Sequence, residues 1–367
     1  MTIRRIRAYR QWQPFRDGPY RCSGGSADGT DSTIVAVTDA DGVTGWGEAA
    51  TLGAFYDPAF AAGLRAGIAE LAPQLVGGPS APRAVLRRAD RLLKGHPYVK
   101  APLDMALCDL AGRRAGTPLV ELLGGRDGDG VDLYNVVNAA APEAMAARAR
   151  AFLDRGYRRL QVKLGGDPER DAEGLAAVRA EVGPGVPLFG DANGLYSVAQ
   201  GRRLLRAAAG VDFWLEQPCA TYDECRALRE HCGLPMVLDE SIDSLPALLR
   251  AAHERVADGV TLKLARIGGI TRTALLRDVA VELGLHVTVE DTGGADLDTA
   301  AVAHLSLSTP AERRLHTVDF NAWVTVANAT GMPAPADGRL TVPDAPGLGV
   351  DVLENALGEP FVDTGAP

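Results

Sequence analysis

The polar and apolar positions of this chain change rhythm along its length. At the start, "IRRIRAYRQW" and "STIVAVTDADGVTGWGEA" carry the short period of strands, and the second stretch turns on itself at Asp41-Gly42. Between them lies "RDGPYRCSGGSADGTD", residues 16–31, Gly- and Ser-rich and too long for a hairpin loop. That composition fits a surface connection and equally a lid over a site. Helical periods follow in "DPAFAAGLRAGIAELAPQL", "APRAVLRRADRLLKG" and "YVKAPLDMALCDLAGRRAG", until "PLVELLGG" closes the segment in a Gly-Gly break. Residues 1–125 therefore read as strands followed by helices.

Beyond residue 125 a repeat sets in. Strand-like runs end at Lys163 ("RRLQVKLGG"), Asp191 ("VPLFGDANG"), Glu216 ("VDFWLEQP"), Asp239 ("LPMVLDES"), Lys263 ("DGVTLKLA") and Glu290 ("LHVTVEDTGG"). The intervals are 28, 25, 23, 24 and 27 residues. Stretches of helical period such as "VAQGRRLLRAAAG" and "TRTALLRDVAVELG" fill the spaces between them. Strand and helix alternating at this spacing form the unit of a parallel (β/α) barrel of the TIM type. A doubly wound open sheet alternates too, but no GxGxxG follows a first strand here. The predicted class is α/β, with the barrel over residues 126–320.

Composition removes several other classes. A chain of 367 residues, 46% hydrophobic, exceeds one small core and suggests a large domain beside a smaller one. Thirty-eight basic against 47 acidic residues give a net charge of −9 with no basic run, which argues against nucleic acid or an anionic membrane as partner. No stretch approaches the roughly 18–20 apolar residues of a membrane span. The N-terminus reads as a strand, not as a signal peptide. The cysteines (Cys22, Cys108, Cys219, Cys225, Cys232) are odd in number without a CxxC spacing, as expected of reduced thiols in a cytoplasm.

The ends of the runs carry the chemistry. In a parallel barrel the C-terminal strand ends line the active site. One charge at a strand end is commonly just solvated; six in succession, each after an apolar run, call for a function. Asp191, Glu216 and Asp239 would converge from neighbouring strands as hard oxygen ligands suited to Mg²⁺, and no His or Cys accompanies them as zinc would require. Lys163 and Lys263 lie two strands either side of Glu216 and so face one another across that centre. Two amines flanking a small carboxylate substrate suit removal of the proton α to the carboxylate, with the metal taking up the enediolate charge. A lysine base must spend time neutral, and lowering its pKa from about 10.4 to about 7–8 costs roughly 3–4 kcal/mol. Burial beside a divalent cation and a second ammonium pushes that way. Salt bridges to the carboxylates push the other way and are the competing account of both lysines.

Other groupings are weaker. "IGGI" at 267–270 and "TGGAD" at 292–296 could bring backbone N–H groups to a phosphate or to a carboxylate. His96 and His304 read as helix or core residues. A non-catalytic binding protein on the same scaffold would have lost a ligand or a lysine, and this chain has them all.

Taken in order, "VTGWGEA", "YVKAPLDMALCDLAGRRAGTPLVELLGG", "QVKLGGDP", "GDANG", "LEQP", "LDES", "LKLARIGGIT" and "PGLGV" resemble the enolase superfamily in its muconate-lactonizing-enzyme-like branch, over nearly the whole chain. The resemblance implies an α+β capping domain from the N-terminal segment and the C-terminal end, above a modified barrel whose last elements and return to the cap occupy 321–367. It also implies one Mg²⁺ on Asp191, Glu216 and Asp239, Lys163 and Lys263 as acid and base, and a homo-oligomer. Many relatives have Lys-x-Lys at the second strand. Here the first position is Gln161, whose amide can hydrogen-bond but adds no charge beside Lys163.

Within the branch, "DSTIVAVTD", "EQPCATYDEC", "EDTGGADLDTAAVAHLSLSTP" and "TVDFNAWVTV" resemble cis-3-hydroxy-L-proline dehydratases. "RDGPY", Tyr56 and Trp323 sit where hydroxyproline betaine epimerases surround a methylated ammonium; such an aromatic pair could hold a cation, and ordinary packing accounts for it equally. Where a dehydratase relative reads Thr-Trp-Gly-Gly, this chain has Thr292-Gly293-Gly294, a loss of bulk that enlarges the pocket. The expected substrate is a proline derivative, and the expected reaction is dehydration of cis-3-hydroxy-L-proline, with Asp291 pairing the ring ammonium. The alternative is racemisation or epimerisation of a proline betaine or N-substituted amino acid.

Overall fold

Three antiparallel strands begin the structure, β1 (Ile3–Pro14), β2 (Gly29–Asp39) and β3 (Thr44–Thr51). The computed structural model describes residues 2–22 and 25–365, and at Cys22 the backbone alone. Ser23 and Gly24, in the predicted lid, lie outside the described residues. β1 pairs with β2 from Ile3↔Asp39 to Pro14↔Gly29, and β2 with β3 from Asp31↔Thr51 to Thr38↔Thr44. The turn falls at Asp41-Gly42 because the Asp39 carboxylate accepts the N–H groups of Asp41 and Val43, both at 3.0 Å, while Gly42 takes φ +88°.

Helices α1 (Ala61–Leu75), α2 (Pro82–Leu92) and α3 (Pro97–Ala115) cover this sheet. Gly45 and Gly47 let β3 press against α3: a Cβ on either would stand 2.1–2.2 Å from a backbone carbonyl of Ala106 or Pro102. Helix α3 is buried on nearly all sides because it serves two cores. Val99, Leu103 and Leu107 join the cap core with Ile6, Val35 and Ile68, whereas Met105 and Cys108 join the barrel core.

Seven parallel strands in chain order form the barrel sheet: β4 (Tyr134–Val137), β5 (Arg159–Lys163), β6 (Leu188–Asp191), β7 (Trp214–Glu216), β8 (Met236–Leu238), β9 (Gly259–Lys263) and β10 (His286–Glu290). An irregular stave at 313–317 closes the gap between last and first. Leu315 N–H donates to Val287 O at 2.9 Å, and Tyr134 N–H to Thr317 O at 3.2 Å. Between the strands run α4 (Pro142–Asp154), α5 (Pro168–Val182), α6 (Val198–Ala207), α7 (Tyr222–Arg229), α8 (Leu245–His253), α9 (Ile270–Glu282) and α10 (Asp296–Leu307). Side-chain caps start several of them: Asp167 before α5, Ser244 before α8, and reciprocal capping boxes of Ser197 with Gln200 and Thr221 with Glu224.

The fold is thus the α/β class expected, a modified barrel under an α+β cap. The chain end returns to the cap as β11 (Val362–Asp363), which pairs with β1 at Ala8↔Val362 and Arg7↔Asp363. No helix among the described residues is long and apolar enough to cross a membrane. Cys108, Cys219, Cys225 and Cys232 are free thiols.

Candidate active site

Parallel pairing aligns the charged strand ends. Lys163, Asp191 and Glu216 stand side by side at one level on β5, β6 and β7, and Lys263 stands beside Glu290 on β9 and β10. Asp239 follows the end of β8. All six side chains are buried.

The two lysines are each held by carboxylates. Lys163 Nζ donates to Asp191 at 2.5 Å and to the Asn193 side chain at 3.2 Å. Lys263 Nζ lies 3.0 Å from Asp239 and 3.2 Å from Glu290, and donates to the Tyr56 hydroxyl at 2.9 Å. Burial alone would lower both pKa values. Asp191 for Lys163, and Asp239 with Glu290 for Lys263, outweigh it and hold both ammoniums well above the usual lysine range. Of the two opposing influences weighed from the sequence, the salt bridges to carboxylates are the ones this arrangement displays at both ammoniums.

The carboxylates form a hard-oxygen donor set under electrostatic strain. Burial, followed by the charges of Asp191, Asp239 and Glu290, raises the Glu216 carboxyl well above its usual range. Asp239 goes the other way: burial opposes ionisation, but Arg266 and Lys263 bring it down to about 2. Among the described residues no three acidic, His or Cys side chains enclose a common point, since Asp191 turns to Lys163 and Asp239 to Lys263 and Arg266. The unrelieved repulsion at Glu216 is what a divalent cation would neutralise, so these residues fit Mg²⁺ in charge and in donor type. An ion on Asp191 and Asp239 would compete with the lysines for the same oxygens.

The residues expected to meet substrate have varied surroundings. Gln161 donates its amide to Glu216 at 2.8 Å, and Thr261 does so with its hydroxyl at 2.9 Å, so Gln161 orients a carboxylate. Tyr56 reaches Lys263, whose Nζ is also 4.9 Å from the ring centroid. Trp323 packs on Tyr20 (6.3 Å, 34°) and on Phe320, and with Tyr56 it lines a small cavity that also touches Gln161, Lys163, Glu290 and Asp291. The Asp291 oxygens, however, accept the backbone N–H groups of Ala265 and Thr292 at 2.8–3.2 Å, and burial carries its pKa up to about 7. The glycine turns are likewise filled from within. "IGGI" packs on Asp104, which accepts from Thr271 N–H and Oγ at 2.7 Å each, and "TGGAD" places the Ala295 N–H on Glu48 at 3.1 Å.

The described parts of the 16–31 segment are tied to neighbouring elements by hydrogen bonds. Tyr20 pairs with Ala27 in a short hairpin and stands in the cavity wall. Arg16 donates to the carbonyls of Ala322 and Val324, and Asp17 accepts from Arg148 at 3.0 Å and Arg155 at 3.4 Å.

Three functional neighbours escaped the sequence reading. Arg266 bridges Asp239 (2.5 Å) to Asp57 of the cap (2.7 and 3.1 Å); Tyr134 donates to Glu290 at 2.7 Å; and Asn193, at φ +43°, links Lys163 to Glu240. Only Arg266 had a usable signal, one helical turn after Lys263.

Residues 5–124 match the family described as mandelate racemase/muconate lactonizing enzyme, N-terminal domain, and residues 144–356 the one described as enolase C-terminal domain-like. A cis-3-hydroxy-L-proline dehydratase of Roseibium aggregatum is 40% identical over 98% of this chain and 99% of its own. An N-succinyl-L-Arg/Lys racemase of Bacillus cereus is 26% identical over 98% of each. A mandelate racemase/muconate lactonizing enzyme of Roseovarius nubinhibens, complexed with magnesium, superposes with a TM-score of 0.94 at 35% identity over 100% of both chains.

Proposed function

The chain belongs to the mandelate racemase/muconate lactonizing enzyme family of the enolase superfamily, and on that premise we propose that it dehydrates cis-3-hydroxy-L-proline. The observation that carries the reading is the position of two buried lysines at the ends of β5 and β9, either side of the carboxylates that end β6 and β7 and follow β8.

The stereochemistry of the substrate asks for this. In the cis isomer the 3-hydroxyl shares a ring face with the carboxylate, so the α-proton lies on the opposite face. Removing that proton and protonating the departing hydroxyl require groups on both faces, which Lys163 and Lys263 would supply. One lysine, neutral, takes the α-proton. The other, as ammonium, gives a proton to the hydroxyl, which leaves as water. The C2–H electron pair becomes a C2–C3 double bond, and the resulting enamine tautomerises to the cyclic imine.

A divalent cation on Asp191, Glu216 and Asp239 would draw charge from the substrate carboxylate as the proton departs. Gln161 and Thr261 orient Glu216 for that duty, and Tyr56 fixes the Lys263 ammonium. The aromatic wall of Tyr20, Tyr134, Phe320 and Trp323 excludes water around a small ring. The same wall supports a second reading, epimerisation of a proline betaine, whose quaternary nitrogen suits ring faces and needs no carboxylate partner.

Incubation with Mg²⁺ in D₂O, followed by proton NMR, tests this. The cis isomer should lose its C2 and C3 signals to the imine, while the trans isomer, with proton and hydroxyl on one face, should persist. Unchanged cis-3-hydroxy-L-proline beside rapid deuterium entry into a proline betaine would overturn the dehydratase in favour of the epimerase.

A further inference from the structure

Next to the lysine site the barrel buries a second set of carboxyls, between β3, the end of β10 and the first turn of α10. Asp298 is 0% exposed there, and neither of its oxygens receives a hydrogen bond from an N–H or hydroxyl group. The charged groups facing it are themselves acidic, Asp291 and Glu48. Glu48 is saturated: it accepts from Gln13 (2.6 Å), Ser32 (2.7 Å), Asn328 (2.8 Å), and the N–H groups of Ala295 and Asp298 (3.1 Å each). Asp291 has its two backbone donors, faces Lys263, and meets the Asp298 carboxyl within hydrogen-bonding reach.

Two carboxyls can share a hydrogen bond only if one holds a proton. Glu48 and Asp291 have N–H donors for their lone pairs and Asp298 has none, so the proton belongs on Asp298. The start of α10 does not stabilise an Asp298 anion, because its N–H groups are spent on Glu48 and, from Leu297, on Asn328 at 3.2 Å. Gly294, at φ +149°, seals the spot: a Cβ there would stand 2.4 Å from the Asp298 Cβ.

We propose that Asp298 is a positioning residue that carries a proton at neutral pH, its carboxyl O–H donating to Asp291, which holds the N–H groups of Ala265 and Thr292. Those residues come two positions after Lys263 and Glu290, so the carboxyl pair ties together the two strand ends that carry them. The effect on turnover rests on the lysine chemistry proposed above; the protonation does not.

Infrared difference spectra of the whole protein at pH 7, Asp298→Asn against wild type, read the proton directly. A carboxylic-acid C=O band present in wild type and lost in the variant is expected. Its absence overturns the proposal whatever reaction the enzyme catalyses. In turnover, Asp298→Leu, which cannot donate, should lose about ten- to a hundredfold in kcat at nearly constant KM, and Asp298→Asn should recover most of it. Equal rates for the two folded variants overturn the positioning role. Should the Leu variant fail to fold, the infrared measurement on the Asn variant still decides the protonation.

Discussion

Arg266 holds Asp57 through two nitrogens, Nε at 3.1 Å and Nη2 at 2.7 Å, across the boundary between barrel and cap. Its remaining nitrogen lies on Asp239 at 2.5 Å, so a cap loop is joined to a candidate metal ligand by one buried guanidinium. Removing Asp57 leaves that guanidinium with half its countercharge. Asp57→Ala is expected to destabilise the protein by about 3–5 kcal/mol, the range for breaking one side of a buried pair. Urea unfolding followed by circular dichroism measures it, with Asp57→Asn expected to lose less.

Glu216 should show opposite effects on stability and function. Its carboxyl is destabilised first by burial and then by three neighbouring carboxylates, whereas Gln161 and Thr261 can still bond an amide in its place. In EDTA, Glu216→Gln is expected to exceed wild type in stability, because the amide removes the repulsion that raises the carboxyl. Added Mg²⁺ at about 100 times its Kd should stabilise wild type by about 2.7 kcal/mol and the variant far less. A variant with the wild-type Mg²⁺ shift would remove Glu216 from the ligand set.

The lysines are separable by isotope exchange. Replacing either Lys163 or Lys263 by Ala should cut dehydration about 10²–10⁴-fold, the usual worth of a general acid or base. In D₂O the variant that retains the base should still exchange the substrate α-proton, and its counterpart should not. Normal rates in both variants would refute the two-lysine scheme.

His304 sets an acid limit far from the site. Its Nδ1 accepts the Val120 N–H at 3.1 Å and its Nε2 lies 3.1 Å from the Leu348 carbonyl, so the neutral ring with the proton on Nε2 satisfies both. Burial lowers its pKa from 6.5 to about 4. The unfolded chain therefore takes up the proton first as pH falls. Stability is full above pH 6.5 and declines toward pH 4, by about 3 kcal/mol from this group. Buried acids with raised pKa values act in the opposite sense, so the measurement is a difference: wild type minus His304→Gln should decline over that window. A flat difference would show that His304 does not govern it.

Much of the architecture could be read from local pattern. Apolar runs that end in Lys163, Asp191, Glu216, Asp239, Lys263 and Glu290 recur at intervals of 23–28 residues, and parallel pairing of such runs can only bring their ends to one rim. The cap strands, the turn at Asp41-Gly42 and the burial of His304 followed from the same short-range rules.

Side-chain direction at the rim did not follow. Asp291 sits next to Glu290 in sequence, yet its oxygens turn to Ala265 and Thr292 while Glu290 takes Tyr134 and Lys263. The partners that set each lysine and carboxylate lie far along the chain: Tyr56 is 207 residues from Lys263, and Asp57 is 209 from Arg266. Periodicity determined which residues reach the rim, because strand and helix repeats are properties of neighbouring residues. Which charge meets which was decided only by closure of the barrel under its cap, since buried groups in a low-dielectric space take whichever partner the packing places within about 3 Å.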